Sequence, residues 1–358
     1  MCPTLNAMLI PTLLAPLSLA LPAPHDPHDP LTTHHSHPLP GSPLPATPRR
    51  PWSGPEPRET FAFEWVEDWL QLPEGMNLGN THGGMLVTRE GNVLFNTDTE
   101  NAVVVVRPDG TLLETWGKEL AGGLHGMCLR EEGGEEFLYL CHLTRHEVIK
   151  TTLKGEILWT LGYPEESGHY KNANEYRPTG VAVSSDGSLY VADGYGKSWV
   201  HQYDADRKYV RSFGGLGNAD GQFRTCHGIW LDTRREQERL IVADRENHRL
   251  QFFDLQGQHQ ETVQHGLRRP CGVAEWNGVL AVPDLAGRIT LIDAQQRLIA
   301  HLCDNPDPAK RARNGVPPSE WAAGEFLSPH SLCWDREGSL FVMDWNARGR
   351  ISKLKRLH

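Results

Sequence analysis

The sequence has no excess of positive charge. Its 35 Lys and Arg stand against 45 Asp and Glu, a formal net charge of −10 with a pI near 6.0. Gripping a nucleic-acid backbone needs clustered basic side chains, so that function class is excluded. An apolar run of membrane-spanning length is also missing. The nearest candidate, "MLIPTLLAPLSLALPA" from Met8, is short and broken by proline. No basic segment precedes it, although Ser18 and Ala20 form the small-x-small pattern of a cleavage site. Residues 1–20 therefore read as an imperfect export signal, or else as a misassigned start. The first reading makes the protein secreted or periplasmic; the second makes it cytoplasmic. A disulfide framework is absent as well. The seven cysteines are odd in number, and all but Cys2 are scattered through strand-like segments, where a buried small hydrophobe is the default.

What remains is globular in composition, 39% hydrophobic and 22% charged. Thirty-five glycines and 11 tryptophans point to many tight turns around a β-rich core. Residues 21–58 stand apart, rich in Pro, His and Ser, with "HDPHDP" and "HHSH" among them. Such a stretch cannot bury a core and reads as a disordered, solvated tether, with stray metal binding by its histidines the alternative.

From residue 59 to residue 358 the chain repeats itself. "PTGVAVSSDGSLYVADGYGKSWVHQYD" (178–204) and "CHGIWLDTRREQERLIVADRENHRLQFFD" (226–254) share a loop, a strand, a turn, a second strand ending in V-A-D, a polar turn and a third strand. Copies stand at 81–106, 124–150, 270–292 and 329–354. Outer-strand phrases such as "GTLLETWG", "GEILWTLG" and "YVRSFGG" lie between them. Four strands at a period of roughly 40–50 residues predict an all-β, six-bladed propeller. The last copy has no outer strand of its own, and "ETFAFEWVEDW" (59–69) resembles the missing phrase. Docked on the last blade, it would latch the ring and cover an exposed sheet edge.

The first strand of each blade lines the central channel, and the residue just before it sits at the channel mouth. Around the ring that position holds His82, His125, Thr179, His227, Cys271 and His330. Alternate blades of a six-fold ring are about 120° apart, so His125, His227 and His330 converge on the axis. Three imidazoles with an open fourth position suit one divalent metal ion, zinc first, with iron, copper or nickel as alternatives. His82 reads as an accessory group beside the ligands, and Cys271 as a packed thiol or a soft ligand. Tyr195 and Arg245, in the turns "DGYGKS" and "DRENHR", face the same mouth. A phenolate whose pKa is lowered by the cation is a candidate base, and a guanidinium is a candidate carboxylate holder. The recurring Asp193, Asp244, Asp284 and Asp344 read as structural turn residues.

These phrases resemble NHL-repeat propellers. The set "ADGYGKS", "GQFRTCHGIWLD", "VADRENHR" and "LSPHSL" resembles the peptidyl-α-hydroxyglycine α-amidating lyase family in particular. The similarity runs over about residues 60–358 and is strongest from Arg177 to Gln251. It implies a zinc held by His125, His227 and His330, with Tyr195 as catalytic tyrosine and Arg245 as active-site arginine. It also implies cleavage of a hydroxyglycine N–C bond to an amide and glyoxylate. Departures accompany it. The first blade has Asn96, Thr97 and Asp98 where the family carries an arginine. Ser328 replaces a methionine, Ser331 replaces an aspartate that helps bind a structural calcium, and Gly196 replaces a half-cystine. The metal and base carry over, while substrate binding and a structural calcium stay open.

The expected activity is thus a metal-dependent carbon–nitrogen lyase of the amidating type. Its expected substrate is a peptide or a smaller α-hydroxyglycine-like amide, taken by a monomer without nucleic acid or membrane insertion. Two alternatives stand beside it: another metal-dependent propeller enzyme such as a hydrolase or lactonase, and a non-enzymatic NHL binding platform. The insertions 163–177 and 303–326 each lead into a mouth-lining strand; the second reads as a lid or as an ordinary solvated loop.

Overall fold

The computed structural model describes residues 61–357. The export signal and the tether of the sequence reading lie outside them. The described residues form six four-stranded antiparallel sheets, each ordered from the channel outward. Blade 1 runs from Met85–Val87 to Leu112–Trp116, blade 2 from Leu124–Glu132 to Ile157–Leu161, and blade 3 from Gly180–Val183 to Tyr209–Gly214. Blade 4 runs from Cys226–Asp232 to His259–Val263, and blade 5 from Ala274–Trp276 to Leu298–Leu302. Among these residues no α-helix occurs; five single-turn 3₁₀ segments are the only helical elements.

Middle strands are buried along both faces, because each sheet is packed between two neighbours. Val103–Val106, Leu189–Ala192 and Val279–Asp284 are therefore near-continuous apolar runs rather than alternating ones. Outer strands such as Tyr209–Gly214 are only half covered. Each interface between adjacent blades holds one apolar cluster, so the core is a ring of six separate cores. Tight hairpins close the inner strand pairs. Gly187 and Gly338 take φ of +85° and +83° there, a region that a side chain would strain.

Blade 6 closes the ring from both ends of the sequence. Its three inner strands are Pro329–Trp334, Leu340–Asp344 and Arg350–Arg356, and its fourth is Phe63–Val66. The pairing runs antiparallel from Phe63 opposite Arg356 to Val66 opposite Lys353. Trp65 packs on Phe326 with ring centroids 5.1 Å apart, and Phe63 on Trp334 at 6.3 Å. A second tie lies nearer the axis, where Thr81 and Asn346 exchange backbone hydrogen bonds of 3.0 and 3.2 Å.

The insertions are fastened to the body. In the first, Tyr170 and Tyr176 pack between blades 2 and 3. In the second, Arg350 donates to the carbonyls of Glu325 and Ala322 and lies over the rings of both Trp65 and Trp321. Asn314 of that segment reaches Asn80 at 2.8 Å, beside the mouth. It is a clamped wall rather than a free lid. The six described cysteines are all unpaired thiols.

Candidate functional site

The three alternate-blade histidines meet on the axis. The ring centroids of His125, His227 and His330 are 4.9, 5.1 and 4.6 Å apart pairwise. One ligand atom from each lies within 4.8 Å of the other two. Their relative exposures are 2%, 2% and 5%, so solvent does not spread them.

Placement differs from the sequence reading in one respect: these histidines lie inside the inner strand, not before it. The strand pairing slips by one residue between Cys226 and Gly228, and again between Pro329 and Ser331, which leaves His227 and His330 unpaired on bulges. The same slip occurs between Leu124 and Met127, around His125. A bulge turns a side chain out of the alternation of the strand, here toward the axis. The inner pair of blade 1 shows no such slip, whereas blade 5 has one around Cys271, between the Pro270–Asp284 bridge and the Ala274–Ala281 pair.

The neighbouring blade fixes two of the three rings. His125 Nδ1 donates to the carbonyl of Thr179 at 2.8 Å, and His227 Nδ1 to that of Cys271 at 2.7 Å. This places the proton on Nδ1 and leaves Nε2 as a lone-pair donor. Close approach needs the glycine that follows each of these two histidines. A Cβ at Gly126 would come within 2.3 Å of the Thr179 oxygen, and one at Gly228 within 2.4 Å of the Cys271 oxygen. In blade 6 the following residue is Ser331. His330 Nδ1 faces the backbone of Gly83 but makes no hydrogen bond of ordinary geometry.

The chemistry of the donor set fits a cation. Burial holds the His125 imidazole down to about 3, and pushes His227 and His330 well below their usual value. All three are neutral at physiological pH, as ligation requires. His125 Nε2 is buried without any partner, an orphan acceptor that a metal would satisfy.

Tyr195 and Arg245 join this cluster. The Tyr195 hydroxyl is 3.1 Å from His227 Nε2 and accepts from Arg245 Nη1 at 3.0 Å. Burial raises the phenol above its ordinary value, and the Arg245 guanidinium works in the opposite direction. The protein alone therefore does not lower this pKa; as the sequence reading has it, that lowering would have to come from a cation beside it. His82 stands next to the cluster but outside it, 5.5 Å from His125 and 6.1 Å from His330 between ring centroids. Its Nδ1 contacts Asn80 at 3.2 Å and Asp98 at 3.5 Å. Cys271 contributes through its carbonyl, while burial pushes its thiol up to about 12. In the first blade, Asn96 spends its amide on the His125 carbonyl at 2.9 Å.

The recurring aspartates hold the loops that carry the rim residues. Asp193, Asp244 and Asp284 accept the backbone N–H of Arg177, Arg224 and Arg268 at 2.7, 2.7 and 2.9 Å. Asp344 accepts those of Leu327 and Ser328 at 3.1 and 2.6 Å. Three of them also meet a buried arginine from the next strand: Arg249, Arg288 and Arg350. The spacing in "DRENHR", "DLAGR" and "DWNARGR" carried that signal. In blade 3 the partner is instead Tyr170, whose hydroxyl lies 2.6 Å from both Asp193 and His201.

A narrow channel of roughly 80 Å³ passes the cluster, lined in part by Gly84, Gly126, Gly180, Gly228 and Gly272. At the mouth a cavity of roughly 430 Å³ lies against His330 and Tyr195. Arg245 and Arg269 stand on its wall, with Leu285 and Trp345 as apolar surface and His82 as polar rim.

Comparison with known proteins agrees with this architecture. The NHL repeat model matches residues 176–203. Peptidylglycine alpha-amidating monooxygenase of Rattus norvegicus is 28% identical over 57% of this chain, which spans 23% of that protein. A probable peptidyl-alpha-hydroxyglycine alpha-amidating lyase of Caenorhabditis elegans is 26% identical over 44% of the chain and 46% of its own length. The chain therefore spans less than a quarter of the first relative and under half of the second. Among solved structures, a streptogramin B lyase superposes with a TM-score of 0.56 at 14% identity, covering 83% of this chain and 98% of that one. The chain is a six-bladed propeller with an NHL repeat, related at low identity to proteins named as amidating lyases.

Proposed function

We propose that the protein is a metal-dependent lyase that cleaves the N–C bond of an α-hydroxyglycine-like amide, releasing an amide and glyoxylate. The observation that carries this reading is the contact between Tyr195 and His227 at the head of the three-histidine cluster. His125, His227 and His330 would hold the ion through nitrogen, a set that suits zinc. When bound, such an ion supplies Lewis acidity and a positive charge that draws the Tyr195 phenol toward its phenolate.

The chain's own groups then do the following. Arg245 donates to the Tyr195 oxygen and stabilises its deprotonated form. Tyr195 Oη takes the proton of the substrate hydroxyl. The O–H electron pair becomes the aldehyde C=O of glyoxylate, the C–N bond breaks, and its electrons go to nitrogen. Nitrogen takes up the proton from Tyr195, which regenerates the phenolate. Leu285 and Trp345 offer apolar surface to the rest of the substrate. The bulges hold the imidazoles, so the site needs little rearrangement to act.

The experiment is glyoxylate release from α-hydroxyhippurate by the metal-loaded chain, run beside a lactone and ester panel. Glyoxylate formation with a dead ester panel supports the lyase. Hydrolysis without glyoxylate would favour a hydrolase or lactonase, the reading drawn from the first blade, where Asn96 is spent on the His125 carbonyl and Asn96, Thr97 and Asp98 stand in place of an arginine. No turnover of either kind would leave the binding platform.

A further inference from the structure

We infer that Arg269 is a second substrate-binding guanidinium, which with Arg245 clamps a carboxylate at the mouth. This rests on the proposed reading of the mouth cavity as the substrate pocket. Arg245 and Arg269 come from blade 4 and from the loop entering blade 5, and both line that cavity. They share one counter-ion. Glu246 Oε1 accepts from Arg245 Nε at 2.9 Å and from Arg269 Nη2 at 2.7 Å. Two guanidiniums thus share a single carboxylate. Asp98, beside His82, accepts from Asn80 Nδ2 at 2.9 Å.

A second observation points to a missing acceptor: Arg269 Nε is buried and has no hydrogen-bond partner. The adjacent Arg268 also has an unpartnered Nε, but its Nη2 is paired with Asp304 and it does not line the mouth cavity. The backbone does not explain the choice of residue. Arg269 has a φ of +59°, and Thr225, at the matching place in blade 4, has +65°. Their carbonyls do the same work, accepting Leu285 N and Arg245 N at 3.0 Å each. That geometry favours glycine or asparagine, so an arginine there answers to what its side chain meets. A guanidinium with open N–H groups matches a carboxylate through paired, charge-assisted hydrogen bonds. A neutral isostere would leave those donors unpaired and be rejected. The occupant is therefore an acyl-amino acid with a free carboxylate, its apolar end against Trp345 and Leu285.

The test is calorimetry on the metal-loaded full chain with N-benzoylglycine and its neutral analogue N-benzoylglycinamide. Neither carries the hydroxyl, so neither is cleaved, and the result does not depend on the lyase reaction. Wild type is expected to prefer the carboxylate. Arg269→Ala should raise its Kd at least tenfold and erase the preference, with Arg269→Lys in between. Equal Kd values for wild type and Arg269→Ala, or no preference in wild type, would overturn the clamp. Metal content and Tm of the variants show whether the fold is intact. Carboxylate binding that depends on Arg269 without glyoxylate release from α-hydroxyhippurate would sink the lyase and keep the clamp. Glyoxylate release with KM unchanged in Arg269→Ala would do the reverse.

Discussion

The carbonyl of Cys271 lies 2.7 Å from His227 Nδ1, and a Cβ on Gly228 would come within 2.4 Å of that same oxygen. The glycine after the histidine is thus what lets one blade orient the ligand of the next. Gly228→Ala should displace the Cys271 carbonyl and loosen His227. Metal affinity is expected to fall by about 10–100-fold, the usual loss when a group orienting a ligand is disturbed. Competition titration with a chromophoric chelator measures it; affinity within twofold of wild type would show that the carbonyl does not matter.

Tyr195→Phe removes the oxygen that contacts His227 and Arg245. Loss of a positioned base is worth about 10²–10⁴-fold in rate. Glyoxylate release should fall in that range while metal content stays at the wild-type level. Turnover within a few-fold of wild type would remove Tyr195 from the mechanism.

About one metal per chain is expected from elemental analysis after dialysis, and none in the His125→Ala/His227→Ala/His330→Ala variant. Because the ligands come from three blades, removing the ion from the wild type should also lower Tm, as loss of any ligand that binds only the folded state does. Identical melting with and without chelator would argue against an axial ion.

Trp65 sits in the closing strand and packs on Phe326. It is only partly buried. Trp65→Ala should therefore cost about 2–3 kcal/mol, somewhat less than the roughly 3–5 kcal/mol of a fully buried tryptophan. Deleting residues 59–69 should open the ring and cause aggregation. A soluble truncation that still melts cooperatively would refute the latch.

Acid should destabilise the metal-free protein. Burial holds His125, His142 and His201 at about 3, 4 and 3, and lowers His82, His227 and His330 as well. Unfolded histidine titrates near about 6.5. Protons then bind the unfolded chain preferentially, so this stability is complete above that value and is lost as pH falls below it. Burial raises Asp193 to about 6, and raises Asp244, Asp284 and Asp344, which works in the opposite sense at lower pH. With His169 and His301 also lowered and Asp335 also raised, eight histidines against five carboxylates give a net fall in Tm between pH 7 and 5. A flat or rising Tm, measured by calorimetry at fixed ionic strength, would show that the carboxylates dominate.

The six blades were legible because strand, turn and V-A-D phrase recur with little change. The closing strand was legible from an unpaired phrase. The ligand histidines could be placed by position in the repeat, but not their bulges. One extra residue in a strand leaves no mark on a period of roughly 40–50 residues. The Tyr170–Asp193–His201 contacts were also hidden, since Tyr170 lies in an insertion with no counterpart in other blades. Arg269 carried no signal at all. Its neighbour Arg268 is the same residue in sequence, and only the fold sends one to Asp304 and the other to the mouth.

Blade 6 contains both Phe63–Val66 and Arg350–Arg356, and it also supplies His330. During synthesis the first of these strands leaves the ribosome long before its partner, and it has no sheet to join until nearly the whole chain is out. His330 arrives equally late. An ion held by His125, His227 and His330 would therefore mark a ring with blade 6 in place, since a chain stopped before residue 330 has two of these histidines and an unclosed edge. Metal occupancy would then report completion of the fold as well as readiness for chemistry.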